Sequence, residues 1–181
     1  MFKKMNIKGT ELEILSYMAQ HPEKEWHVRA LAKATHISIG SSSQCLRDLE
    51  HRGLVHSKHV GNLILYYIAK EKPLVRSFKT FLNLLSLEPI IEELKGHSER
   101  IYLFGSAADG IDGEQSDLDI LVVTNEKEIV KKMLVDHNQV NGRRLGPIVV
   151  TPAELVRLSK SDKAFHDRAI DGLVLWRSEH E

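Results

Sequence analysis

Asp117 and Asp119, separated only by Leu118, follow a Gly105-Ser106 pair with ten residues between. Ile101-Tyr102-Leu103-Phe104 precedes the glycine, and Ile120-Leu121-Val122-Val123 follows the acids. Apolar runs of this length read as two short buried strands joined by a polar turn. Residues two apart in a strand point to one face, so Asp117 and Asp119 project side by side. Carboxylates held that close repel each other unless a cation lies between them, and an oxygen-only ligand set suits Mg²⁺ or Mn²⁺. A Gly-Ser turn lets a ligand approach the backbone, whose amides can hold phosphate oxygens. A cation beside a phosphate cradle is the apparatus of phosphoryl or nucleotidyl transfer.

Residues 101–123 resemble the signature of the DNA polymerase β-like nucleotidyltransferase superfamily, in which a Gly-Ser pair precedes an Asp-x-Asp by a spacing of this size. Residues 88–181 match the size of its minimal members. The resemblance implies a nucleotidyltransferase fold with a small mixed sheet flanked by helices. It also implies that Gly105 and Ser106 contact a nucleoside triphosphate, and that Asp117 and Asp119 are the catalytic, metal-holding acids. Members usually carry a third carboxylate on a later neighbouring strand. The candidate strand, residues 144–151, has neither Asp nor Glu. Glu154 comes after Pro152 and reads as part of the next helix start, while Asp136 reads as the end of an earlier helix. The site therefore lacks an evident general base.

The front of the chain has a different pattern. Residues 10–20 carry Leu12, Ile14, Leu15 and Met18 at helical spacing, with a Thr10/Glu13 capping-box pattern. Residues 28–35 read as a second helix with Val28, Leu31 and Ala32 inward. Residues 41–52 read as a third, stopped by Gly53. Alternating stretches at 54–60 and 63–69 flank Gly61-Asn62, a hairpin turn signal. Three helices and a hairpin, with the run from Leu46 through Leu49 to Gly53-Leu54-Val55, resemble a winged helix-turn-helix domain over residues 1–72. The whole chain is thus expected to be α+β. Leu46 and Leu49 face the core of this domain. Ser41, Gln44, Arg47 and His51 then lie on the opposite face, as groups that can enter a DNA major groove, with Lys58, His59 and Asn62 on the wing.

Residues 73–87 form a linker helix bearing Val75, Phe78, Leu82 and Leu85, expected to break near Pro89 before the rear domain begins at 88. Its apolar stripe needs a cover, either the chain's own domains or a second copy in a homodimer. Farther on, Asn141-Gly142 signals a hairpin turn, and Thr151-Pro152 signals a helix start.

Residues 1–75, which open on the basic start Lys3-Lys4, hold eleven Lys/Arg against seven Asp/Glu. The remaining 14 and 18 reverse the sign, so a basic front precedes an acidic rear. Six of the ten histidines lie in the front, with no metal-ligand spacing to the single Cys45. That lone cysteine excludes an internal disulfide. No stretch reaches the ~20 apolar residues of a membrane span, and no signal peptide opens the chain, so a cytoplasmic protein without a membrane partner is expected. Two functions remain open. One is metal-dependent transfer of an NMP from an NTP to an acceptor, a partner protein included, beside a DNA-binding winged helix. The other is a DNA-binding transcriptional regulator whose degenerate nucleotidyltransferase domain only binds nucleotide.

Overall fold

The computed structural model describes residues 7–178, so the basic start at Lys3-Lys4 lies outside the described residues. The chain divides into two units, Met1–Lys79 and Thr80–Glu181.

The first unit comprises α1 (Gly9–Gln20), β1 (Trp26–His27), α2 (Val28–Thr35), α3 (Ile39–His51), β2 (Val55–Val60) and β3 (Leu63–Ile68). Its sheet runs β1-β3-β2, with β2 and β3 joined through Gly61-Asn62 as a hairpin. Ile14, Leu15 and Met18 of α1, Leu31 of α2, and Cys45, Leu46 and Leu49 of α3 are buried with Val55 and Ile68 of the hairpin. This is the winged-helix arrangement expected from the sequence.

Two details of α1 differ from expectation. Leu12 is 40% exposed, and Glu11 takes the inward position instead. Its carboxylate accepts the Lys8 amide at 3.1 Å and lies 3.7 Å from the Arg52 guanidinium. The helix start is therefore closed by Glu11 rather than by a Thr10/Glu13 box, because a carboxylate can satisfy an unpaired amide and a cation together. The Thr10 hydroxyl accepts from the Cys45 thiol at 3.5 Å. Strand β1 was not expected either: two residues are too few to show alternation.

α4 (Pro73–Leu94) carries the chain past the boundary of the units without the expected break at Pro89. Leu87, Ile90 and Leu94 keep one side of it in the core on both sides of the proline. That packing outweighs the one hydrogen bond a helical proline removes. Leu85, from the expected apolar stripe, stays about half exposed at 49%, as does Phe81 beside the stripe at 53%.

The second unit continues with β4 (Arg100–Phe104), α5 (Ser106–Asp109), β5 (Leu118–Val123), α6 (Lys127–Val135), β6 (Gln139–Val140), β7 (Arg143–Val150), α7 (Pro152–Ser161), α8 (Lys163–Ile170) and β8 (Leu173–Arg177). Its five strands run β6-β7-β5-β4-β8, parallel only between β5 and β7. The period of two divides the side chains between two cores. Ile101, Leu103, Ile120 and Val122 pack with Leu87 and Leu94 of α4 and Val130 of α6. Tyr102, Phe104, Leu121 and Val123 pack with Ala169 and Phe165 of α8 and Leu155 of α7. Asn141 and Gly142 adopt φ of 51° and 77°, the left-handed pair of a tight hairpin turn. Thr151 caps α7, with Pro152 in its first turn. Among the described residues, no helix is long and apolar enough to cross a membrane.

Candidate functional site

Asp119 is the second residue of β5, and Asp117 lies one residue before that strand. Register places Asp119 opposite Phe104 on β4, next to Gly105, and opposite Gly146 on the parallel neighbour β7. Gly105 has φ 69°, a conformation open to glycine, and turns the chain from β4 into α5. A Cβ on Gly105 would lie 3.2 Å from Asp119 Oδ2. A Cβ on Gly146 would lie 2.7 Å from Asp119 Oδ1 and 3.8 Å from Asp117 Cβ. The Gly-Ser turn and both acids therefore meet at one place, with the Asp119 carboxylate seated against Gly105 and Gly146. Ser106 opens α5 beside them, partly exposed.

The two carboxylates differ electrically. The Arg144 guanidinium grips Asp117, with Nε donating to Oδ1 at 3.0 Å and Nη2 donating to Oδ2. This contact holds the Asp117 carboxyl below its ordinary value and pushes the Arg144 guanidinium up. Burial pushes Asp119 up, and the neighbouring Asp117 charge adds to it, against smaller pulls from Arg168 and Arg144. Asp117 is thus charge-paired, and Asp119 is the one of the two whose ionised form is disfavoured.

The donor set fits one divalent cation. Both acids are oxygen-only ligands, and Mg²⁺ is commonly held by one or two carboxylates, with waters and substrate phosphates completing its octahedron. No group of three or more His, Cys, Asp or Glu suited to a metal occurs among the described residues. The position across from Asp119 belongs to Gly146, and Arg144 answers Asp117. Glu154 is engaged elsewhere, accepting the Thr151 amide at 2.8 Å and the Lys127 ammonium at 2.6 Å. Asp136 is the C-cap of α6. Sequence reasoning missed Gly146, which is informative only once the register of β5 against β7 is known.

In the first unit, α3 buries Ser42, Cys45, Leu46 and Leu49 and exposes Ser41, Gln44, Arg47 and His51. Arg47 donates to Ser43 Oγ and to Gln44 Oε1, each at 2.7 Å, and Gln44 donates to Asp48 Oδ1 at 2.9 Å. These groups form one hydrogen-bonded row along the helix. Lys58, His59 and Asn62 are exposed on the hairpin, and Lys58 pairs with Glu25 at 2.7 Å. The hairpin tip is partly apolar: Val60 and Leu63 face each other in register, each 50% exposed.

Residues 85–171 match the family model of the nucleotidyltransferase domain. No curated protein matches the chain. Among solved structures, it is similar to the homodimeric winged helix-turn-helix DNA-binding domain Mb0332 of Mycobacterium bovis, at 30% identity and TM-score 0.34, over 48% of this chain and 70% of that one. It is also similar to MepR, a transcription regulator of the Staphylococcus aureus multidrug efflux pump MepA, at 17% identity and TM-score 0.42, over 50% and 69%.

Proposed function

This chain carries a nucleotidyltransferase domain at residues 85–171 behind a winged helix-turn-helix domain, and on that premise we propose that it moves a nucleoside monophosphate from a triphosphate to an acceptor hydroxyl, using Mg²⁺ or Mn²⁺ at Asp117 and Asp119. The observation that carries this reading is the meeting of both acids and the Gly105 turn at Gly146. In the transfer the acceptor oxygen bonds to the α-phosphorus, the bond to pyrophosphate breaks, and the hydroxyl proton leaves to solvent. Asp117 and Asp119 would hold the ion, which when bound would neutralise triphosphate charge and lower the acceptor's pKa. Gly105 and Ser106 would bring main-chain amides up to the phosphates. Arg144 is the charge partner of Asp117.

Incubation with labelled NTPs and Mg²⁺ or Mn²⁺, alone and with cell extract, tests the transfer. Label should appear on an acceptor, a partner protein being the class to look for first, and should vanish with Asp119→Ala. No label, or label that persists in that variant, removes the enzyme assignment. One observation favours a second reading, in which the site binds a triphosphate without turning it over: no acid stands across from Asp119. Triphosphate binding without any transfer is its signature.

The winged helix belongs to the same proposal as the DNA-binding part. The exposed row on α3 offers hydrogen-bonding groups of the kind that read base edges, and Lys58 on the hairpin lies where a wing meets phosphate. Two copies would present two such helices to paired half-sites.

A further inference from the structure

Arg143 and Arg144 are consecutive at the start of β7, yet the Arg143 side chain is 17% exposed against 73% for its neighbour. The Arg143 guanidinium serves four acceptors: Ser116 O at 3.0 Å, Asp117 O at 3.4 Å, Asn83 Oδ1 at 2.8 Å and Asp112 Oδ2 at 2.9 Å. Asp112 is 5% exposed and Asn83 6%. The Asn83 amide in turn donates to Ala107 O at 3.0 Å and to Asp112 Oδ1 at 3.2 Å. A single buried network thus joins α4, the first turn after Gly105, the loop before β5, and β7.

Two arguments direct this network at the site rather than at the fold alone. A buried ion pair is a weak source of stability, since apolar replacements of like volume are often neutral or better. In addition, the network ends on main-chain carbonyls beside the functional groups: those of Ser116 and Asp117 at the acids, and that of Ala107 next to Ser106. We propose that Arg143 is the positioning residue of the acid pair. Pinned by Asp112 and Asn83, it fixes the Ser116-Asp117 main chain, so that the Asp117 carboxylate stands beside Asp119 to share one divalent cation with a triphosphate. This deepens the transferase reading and rests on it.

The test is Mn²⁺ titration of the full chain in the presence of a non-hydrolysable nucleoside triphosphate, read by the electron paramagnetic resonance of free ion, with thermal melts alongside. Two variants are compared with the parent. The double variant Arg143→Met/Asp112→Leu replaces the ion pair with an apolar pair but leaves the Ser116 and Asp117 carbonyls without donors. Arg143→Lys keeps a cation for Asp112, but a single ammonium cannot hold both carbonyls as well, and it carries the test if the double variant does not fold. The expected result is a parent-like melt with Mn²⁺ affinity lower by ~10-fold or more, the usual size for groups that orient metal ligands. Parent-level binding by either folded variant overturns the positioning role and leaves the transferase reading standing. No Mn²⁺-dependent binding by the parent overturns both.

Discussion

Gly146 stands opposite Asp119 across the parallel pair of β5 and β7, where a Cβ would come within 2.7 Å of Asp119 Oδ1. The missing side chain is what leaves room for the Asp119 carboxylate. Gly146→Ala should leave the fold intact, because the atom it meets is the free end of a side chain and can rotate away. The rotation costs the site its geometry, and displacement on the order of 1 Å can lower turnover by about 10²-fold. A variant that melts like the parent and transfers label at the parental rate would show that the close approach of Asp119 to Gly146 is unimportant.

Glu154 supplies a pH dependence independent of the acid pair. The Lys127 ammonium at 2.6 Å, together with the Thr151 amide, holds its carboxyl at about 2, below the ordinary 4.5. A depressed carboxyl stabilises the folded chain fully above its unfolded value, and that contribution fades as pH falls toward the folded one. Glu154→Gln should therefore melt lower than the parent above pH 4.5, and the two melting curves should converge as pH approaches about 2. A gap between them that is independent of pH would assign the loss to helix capping rather than to charge.

Much of this arrangement was legible because it is local. The apolar runs at 101–104 and 120–123 mark two strands, Gly61-Asn62 and Asn141-Gly142 mark two hairpin turns, and Thr151-Pro152 marks a helix start. What stayed hidden depends on pairing at a distance. Arg143 finds Asn83 sixty residues away, and Gly146 matters only through a register that no short motif encodes. The same holds at Pro89, where local propensity favours a break but the burial of Leu87, Ile90 and Leu94 keeps the helix whole. Glu11 on the inner side of α1 is the reverse case, a charged residue whose partners Lys8 and Arg52 make burial tolerable.

On the winged helix, Arg47 and Lys58 should separate by experiment. Arg47 lies in the middle of the exposed row on α3, where its fork can exchange Ser43 and Gln44 for a base edge. Arg47→Ala should weaken binding to the chain's own promoter DNA by about 1–3 kcal/mol and relax its sequence preference. Lys58→Ala should weaken all sequences alike and lower the slope of affinity against salt by about one. Mobility-shift titrations at several salt concentrations read both effects. An Arg47→Ala protein with parental specificity would take α3 out of the recognition role.

Gly172, just before the edge strand β8, is packed tightly against β4. A Cβ there would run into the Leu103 carbonyl oxygen and come within 3.0 Å of Phe104 Cβ. Neither is the free end of a flexible side chain, so the backbone itself must give. Gly172→Ala should destabilise the second unit by roughly 1–3 kcal/mol, the usual range for overpacking, as measured by urea unfolding. The consequence reaches the site, because Phe104 pairs with Asp119 and leads directly into the Gly105 turn. Mn²⁺ binding in the presence of triphosphate should therefore weaken along with stability. If unfolding shifts while cation binding stays parental, β8 supports the sheet without reaching the acids.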